Sequence, residues 1–154
     1  MNNLTGTYWY VPTQFLPAVE AGTDPMPHVS TVVDQTVWRF QTCENGYVTG
    51  ISATNTGDGW SYTMIVGSIA PSGLVKLSFS PLHDDDAAIT IGDGTFARDM
   101  FVMQMTAGSS TYNLTHWAQM EPIDPSMPEW RALPGYPDTG VEDLKELLTP
   151  IVTT

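Results

Sequence analysis

Apolar and polar residues alternate with a period of two along most of this chain, the signature of strands that bury one face. The pattern is clearest from Thr36 to Pro81. There TVWRFQT, YVTGISAT, WSYTMIVG and LVKLSFS are separated by ENG, NTGDG and APSG. The strands are rich in β-branched and aromatic residues, which suit a pleated, half-buried surface. The breaks carry Asn-Gly, Asp-Gly and Pro-Ser-Gly, which supply the positive or preset φ of tight corners. Four further segments read the same way: Leu4 to Val11, Ala87 to Gly92, Phe96 to Thr106 and Thr111 to Met120, with DGT and AGSS as turns between the last three. Short strands at this spacing predict an all-β domain. Sequential hairpins with no long cross-connection after Thr36 favour an eight-stranded antiparallel up-and-down barrel, whose closure removes exposed edges.

Two segments break the alternation. Residues 12–35 contain Pro12, Pro17, Pro25, Pro27 and Gly22 and have no clear period. They predict a long first loop, of the length usually found in functional lids. Residues 121–138 hold five prolines and predict an extended surface strap. Residues 140–149 then predict a short C-terminal helix, VEDLKELL, with Val141, Leu144, Leu147 and Leu148 on one face and Glu142 and Asp143 in its first turn. The whole is expected to be a single domain, 1–154, with 1–120 forming the barrel and its lid-like loop.

The bulk properties narrow the functional classes. The net charge is -12 with five Lys and Arg, which disfavours nucleic acid and anionic membranes as partners. The single cysteine, Cys43, leaves no internal disulfide and no cysteine-rich metal site. No apolar run is long enough to span a membrane, and the start lacks a basic and apolar leader, so a cytoplasmic location is expected. No nucleophile elbow, phosphate loop, dinucleotide fingerprint or zinc motif is present, so the expectation is neither cofactor nor metal.

An eight-stranded barrel has room for packed side chains or for one small ligand. Alternation groups the candidate lining residues by strand: Trp60, Tyr62 and Met64; Phe79 with Val75 and Leu77; Phe101 and Met103 with Met105; and Tyr112 with Leu114, His116 and Met120. Trp117, beside His116, is a further aromatic candidate. Such side chains suit an apolar or aromatic guest. For chemistry, Tyr8 and Tyr10 share a face of the first strand, and Arg39 lies beside them if the first two strands pair. Two phenols and a guanidinium can hold a carboxylate or a developing oxyanion. His116 is the candidate general base. Arg98 and Asp99, read as mid-strand, place one charge inward. The HDDD run, His83 to Asp86, reads as a solvated turn.

The order of these features resembles the calycin group, the lipocalins and their relatives. The matching features are the aromatic first strand after Gly6 (GTYW), the long first loop, seven short-turned strands and a terminal helix. The tryptophan here is Trp9, one residue beyond the Gly-x-Trp spacing of lipocalins. The resemblance implies a ligand cavity inside the barrel. The set Tyr8, Tyr10 and Arg39 also resembles part of the phenolic acid decarboxylase site, another calycin-like barrel, although no glutamate stands in the region GDGWSYTM. The expected function is therefore binding of a small apolar or aromatic molecule, with cofactor-free lyase, isomerase or cyclase chemistry if Tyr8, Tyr10, Arg39 and His116 act on it. The alternatives are a carrier without chemistry, or an assembly subunit that docks through the strap and helix, with a homo-oligomer left open.

Overall fold

The computed structural model describes residues 3–82 and 89–148. Its strands are β1 (Tyr8–Tyr10), β2 (Pro17–Gly22), β3 (His28–Val33), β4 (Gln35–Glu44), β5 (Tyr47–Asn55), β6 (Trp60–Ile69), β7 (Leu74–Pro81), β8 (Ile89–Ala97), β9 (Met100–Gly108) and β10 (Tyr112–Ile123). All pair antiparallel, in the order β1-β4-β5-β6-β7-β8-β9-β10-β2-β3, and β1 also pairs with β10. That last pairing closes the sheet. β1 and β2 are two lengths of one stave: Glu121–Ile123 of β10 meets β1, and Tyr112–Thr115 meets β2. β3 and β4 form the next stave, against β2 and β1 respectively. Eight staves thus make an antiparallel up-and-down barrel, as the alternation predicts.

The segment expected as a long first loop is mostly a hairpin. A single 3-10 turn, Thr13–Phe15, interrupts the first stave, and β2 and β3 follow. Its prolines do not oppose this. Pro17 starts a strand, and Pro25 and Pro27 lie in the tip, where no ladder N–H is required. One buried side chain secures the stave junction with two hydrogen bonds. Gln35 donates through Nε2 to the Val11 carbonyl at 3.0 Å and accepts at Oε1 from the Gly135 N–H at 2.8 Å.

The expected DGT turn is also displaced. Asp93 to Thr95 continue β8, and the chain reverses at Arg98–Asp99, whose φ values of 54° and 55° mark a two-residue hairpin turn. Both charges are exposed there, so neither is the buried charge that a mid-strand reading implied. The glycines of β8 serve packing instead. A Cβ on Gly94 would lie 2.1 Å from the Val102 carbonyl oxygen and 2.9 Å from the Met103 Cα. The HDDD run lies outside the described residues.

Apolar residues form two layers, one inside the barrel and one on its outer wall. The inner layer at one end is aromatic. Phe101 contacts Phe96, Trp9, Trp38 and Phe40 with ring centroids 4.5, 4.8, 5.5 and 5.7 Å away. The outer layer lies under the strap, where Tyr10, Val37, Ile51, Ala53 and Ile123 pack with Trp130, Leu133, Val141, Leu144 and Leu148. Helix α1 (Val141–Leu144) is shorter than expected, ending in turns over 145–148. It opens with the Gly140 N–H donating to the Asp143 carboxylate at 2.8 Å. No helix among the described residues is long and apolar enough to cross a membrane.

Close packing of neighbouring strands requires glycine at some inward positions. Gly67 faces inward, and a Cβ there would lie 2.2 Å from the Lys76 carbonyl oxygen and 2.6 Å from Leu77 Cδ2. Gly67→Ala is therefore expected to lower unfolding free energy by about 1–3 kcal/mol through overpacking. Urea denaturation would measure this; an unchanged midpoint would show that the wall yields without cost.

Candidate functional site

Interior side chains shrink toward the other end of the barrel. β4 and β5 offer Thr36, Ser52 and Thr54 inward, and β6 offers Ser61 and Thr63. Pairing aligns them in rows across three strands: Trp38–Ser52–Thr63 and Thr36–Thr54–Ser61. With Ala107 and Ala118 on the far side, these small residues leave a cavity of about 450 Å³. Trp38 and Phe79 are among its apolar lining, with Met105, Leu114 and Met120 on the wall facing the hydroxyls. The aromatic plug therefore fills half the barrel and the cavity occupies the rest.

Asp34 and His116 meet at the rim of this cavity. His116 Nδ1 lies 3.1 Å from Asp34 Oδ2, with both side chains almost wholly buried. His116 Nε2 lies 2.6 Å from the Phe15 carbonyl oxygen. Thr36 Oγ1 donates to Asp34 Oδ1 at 3.0 Å and shares a hydrogen bond with Thr54 Oγ1, also at 3.0 Å. A carbonyl and a carboxylate both accept, so only the doubly protonated imidazole satisfies both ring nitrogens. Burial alone disfavours that charge and is the largest influence. The Asp34 hydrogen bond and charge, helped by the Phe15 carbonyl, outweigh it and raise the His116 pKa. His116 thus ties the 3-10 turn of the first stave to β10 and to the β3–β4 junction. With both nitrogens engaged, it has no free lone pair to act as a general base.

The other expected site residues divide between the two layers. Tyr8, Tyr10 and Arg39 do come together, but on the outer wall. Pairing puts Tyr8 beside Arg39, and the guanidinium carbon lies 5.6 Å from the Tyr8 ring centroid. Arg39 Nη1 donates to the Leu148 carbonyl at 3.2 Å, and Tyr8 stacks edge-on against Trp130 at 5.1 Å. Burial, reinforced by Glu129 and Glu121, raises the Tyr10 pKa. This group clasps the C-terminal strap to the barrel, and the barrel wall separates it from His116.

Of the expected lining residues, Phe79 and Tyr112 border the cavity. Phe101 and Met103 lie in the packed end. Trp117 points outward and is 61% exposed. Trp60, Tyr62 and Met64 share the outer face of β6, because Tyr62 pairs with Ala53 and Met64 with Ile51, both in the layer beneath the strap. Trp60 and Tyr62, although on that face, are also among the residues that line the cavity. Burial raises the Tyr62 pKa. Burial, then Glu20, Asp34 and Asp58, push the Tyr112 phenol up to about 12, so it remains a hydrogen-bond donor across ordinary pH.

Asp34, Thr36, Ser52, Thr54 and Thr63 were not legible as site residues from type alone. Parity would have found most of them, since they share the inward register of Trp38 and Ile65. Among the described residues, no group of three or more His, Cys, Asp and Glu is placed to hold a metal ion. No protein-family model, curated protein or solved structure matches the chain.

The His116–Asp34 pair carries a pH signature. A free histidine titrates near 6.5, and the folded one titrates higher. The folded state therefore binds this proton more tightly, so the stabilisation is full below about 6.5 and fades as pH rises through the folded value. His116→Gln is expected to lower unfolding free energy by about 3 kcal/mol at pH 6. The gap between wild type and variant should narrow as pH rises, as followed by chemical denaturation. A gap that widens with pH would contradict the assignment.

Proposed function

We propose that the protein binds one small apolar or aromatic molecule in the open half of its barrel and acts as a carrier. The observation that carries this reading is the cavity of about 450 Å³, within the size range of sites that enclose small ligands. It has an aromatic floor and a few convergent polar groups, the usual composition of such sites. The architecture accords with a calycin-like kinship, in which the barrel interior is the ligand site. Carriage is favoured over catalysis because both nitrogens of His116 are already engaged.

Cofactor-independent lyase, isomerase or cyclase chemistry is the second reading. Tyr112 favours it: a phenol on the cavity wall that keeps its proton can polarise a substrate carbonyl. Tyr112→Phe would then abolish turnover while leaving binding nearly intact.

N-phenyl-1-naphthylamine, a neutral aromatic probe, tests the binding reading. Its fluorescence should rise on saturable binding at one site per chain. Ala118→Phe, which fills the cavity from β10, should weaken binding at least about tenfold, with near-UV circular dichroism confirming the fold. Absence of saturable binding to the wild type, or equal binding to a folded Ala118→Phe variant, would overturn the proposal.

A further inference from the structure

Building on the binding reading above, we infer that the cavity selects an uncharged ring compound carrying a hydroxyl or carbonyl oxygen along one edge, and rejects carboxylates of the same shape. The cavity has two unlike walls. In an eight-stave barrel, β5 lies across from β9, so the hydroxyl rows of β4, β5 and β6 face the apolar wall formed by β9 and β10. A guest that spans the space meets Ser52 and Thr63 on one side and Met105 and Met120 on the other.

The hydroxyls are not equivalent. Thr36 and Thr54 bond each other, Thr36 also bonds Asp34, and Ser61 Oγ donates to the Thr54 carbonyl at 3.4 Å. Ser52 differs. It is 2% exposed, faces inward between Trp38 and Thr63, and its hydroxyl has no hydrogen-bond partner among the described residues. A hydroxyl on the cavity wall with no protein partner is free to bond a ligand oxygen inside a mostly apolar space. The phenol of Tyr112 and the Thr63 hydroxyl likewise make no hydrogen bond among the described residues. All three can donate, and all three can accept, so either a hydroxyl or a carbonyl on the guest is served.

Charge sets the second half of the selection. None of the five Lys and Arg lines the cavity. Arg39 is held on the outer wall, Lys76 pairs with Asp93, and Arg98, Arg131 and Lys145 are exposed. The charges on the described lining are Asp34 and His116, and they neutralise each other. A carboxylate entering this space would lose its hydration without gaining a counter-ion, and would do so against a net charge of -12.

Competition against N-phenyl-1-naphthylamine with three compounds on one scaffold tests this. 2-Naphthol should displace the probe best, naphthalene about tenfold less well and 2-naphthoate least well, at pH 7. Ser52→Ala should remove much of the advantage of 2-naphthol over naphthalene, read as the ratio of the two affinities on the same variant. 2-Naphthoate competing as well as 2-naphthol, or naphthalene matching 2-naphthol on the wild type, would overturn the selectivity while the binding reading stands. Failure of all three to displace a probe that itself binds would also overturn it. Failure of the probe to bind at all would remove the binding reading, and the selectivity with it.

Discussion

The cross-section of an eight-stave barrel is nearly fixed, so the sizes of the inward side chains decide whether it is solid or hollow. In this protein that constraint is resolved differently at the two ends. Trp9, Phe40, Phe96 and Phe101 fill one end, Trp9 edge-on to Phe101 and the two phenylalanines tilted against it, and glycines at positions 67 and 94 let Leu77 and Met103 pack close to the wall. Serine, threonine and alanine stand at the equivalent inward positions of the other end, and their total volume falls short of the space. Trp38 sits at the boundary, part of the aromatic cluster and part of the cavity lining. The plug supplies the apolar burial that stabilises the domain, which frees the open half from having to pack.

The open half needs its own means of staying in shape, and polar ties supply it. The first stave breaks at Thr13–Phe15, so its two lengths are held by β10 at separate places. His116 bridges that break, donating to the Phe15 carbonyl on one side and to Asp34 on the other. Gln35 bonds the same region from the strap side. On the outer wall, Arg39 and Tyr8 hold the C-terminal segment, whose apolar residues cover the second layer of β4, β5 and β6. The polar residues that the sequence offers as chemistry are thus engaged mainly in closing the barrel. The unpaired hydroxyls of Ser52, Thr63 and Tyr112 are among the polar groups left on the described lining for a guest.

Much of the fold was legible because turn chemistry and period-two alternation agree from Gln35 to Ile69, where ENG and NTGDG mark the hairpins that form. Legibility failed where two signals competed. Prolines at Pro17, Pro25 and Pro27 concealed β2 and β3, since their positions at a strand start and a hairpin tip are visible only once the pairing is known. Asp93-Gly94 imitates a turn, whereas Arg98 and Asp99 make one without glycine. The site was less legible for a different reason. On β6 both faces are apolar enough to be buried, one by the barrel and one by the strap, so alternation defines two faces without saying which is inside. Trp60, Tyr62 and Met64 fall on the strap side for that reason, and the quieter residues Ser61 and Thr63 take the interior.

Methyl NMR of the protein labelled at its methionine methyl groups tests the half-filled barrel most directly. Met105 and Met120 line the cavity, whereas Met103, on the same strand as Met105, is packed within the aromatic end. On titration with benzene, the Met105 and Met120 methyl resonances should shift together and saturably, and that of Met103 should hold its position. Equal shifts at all three, or none at Met105 and Met120, would contradict a barrel that is solid at one end and hollow at the other.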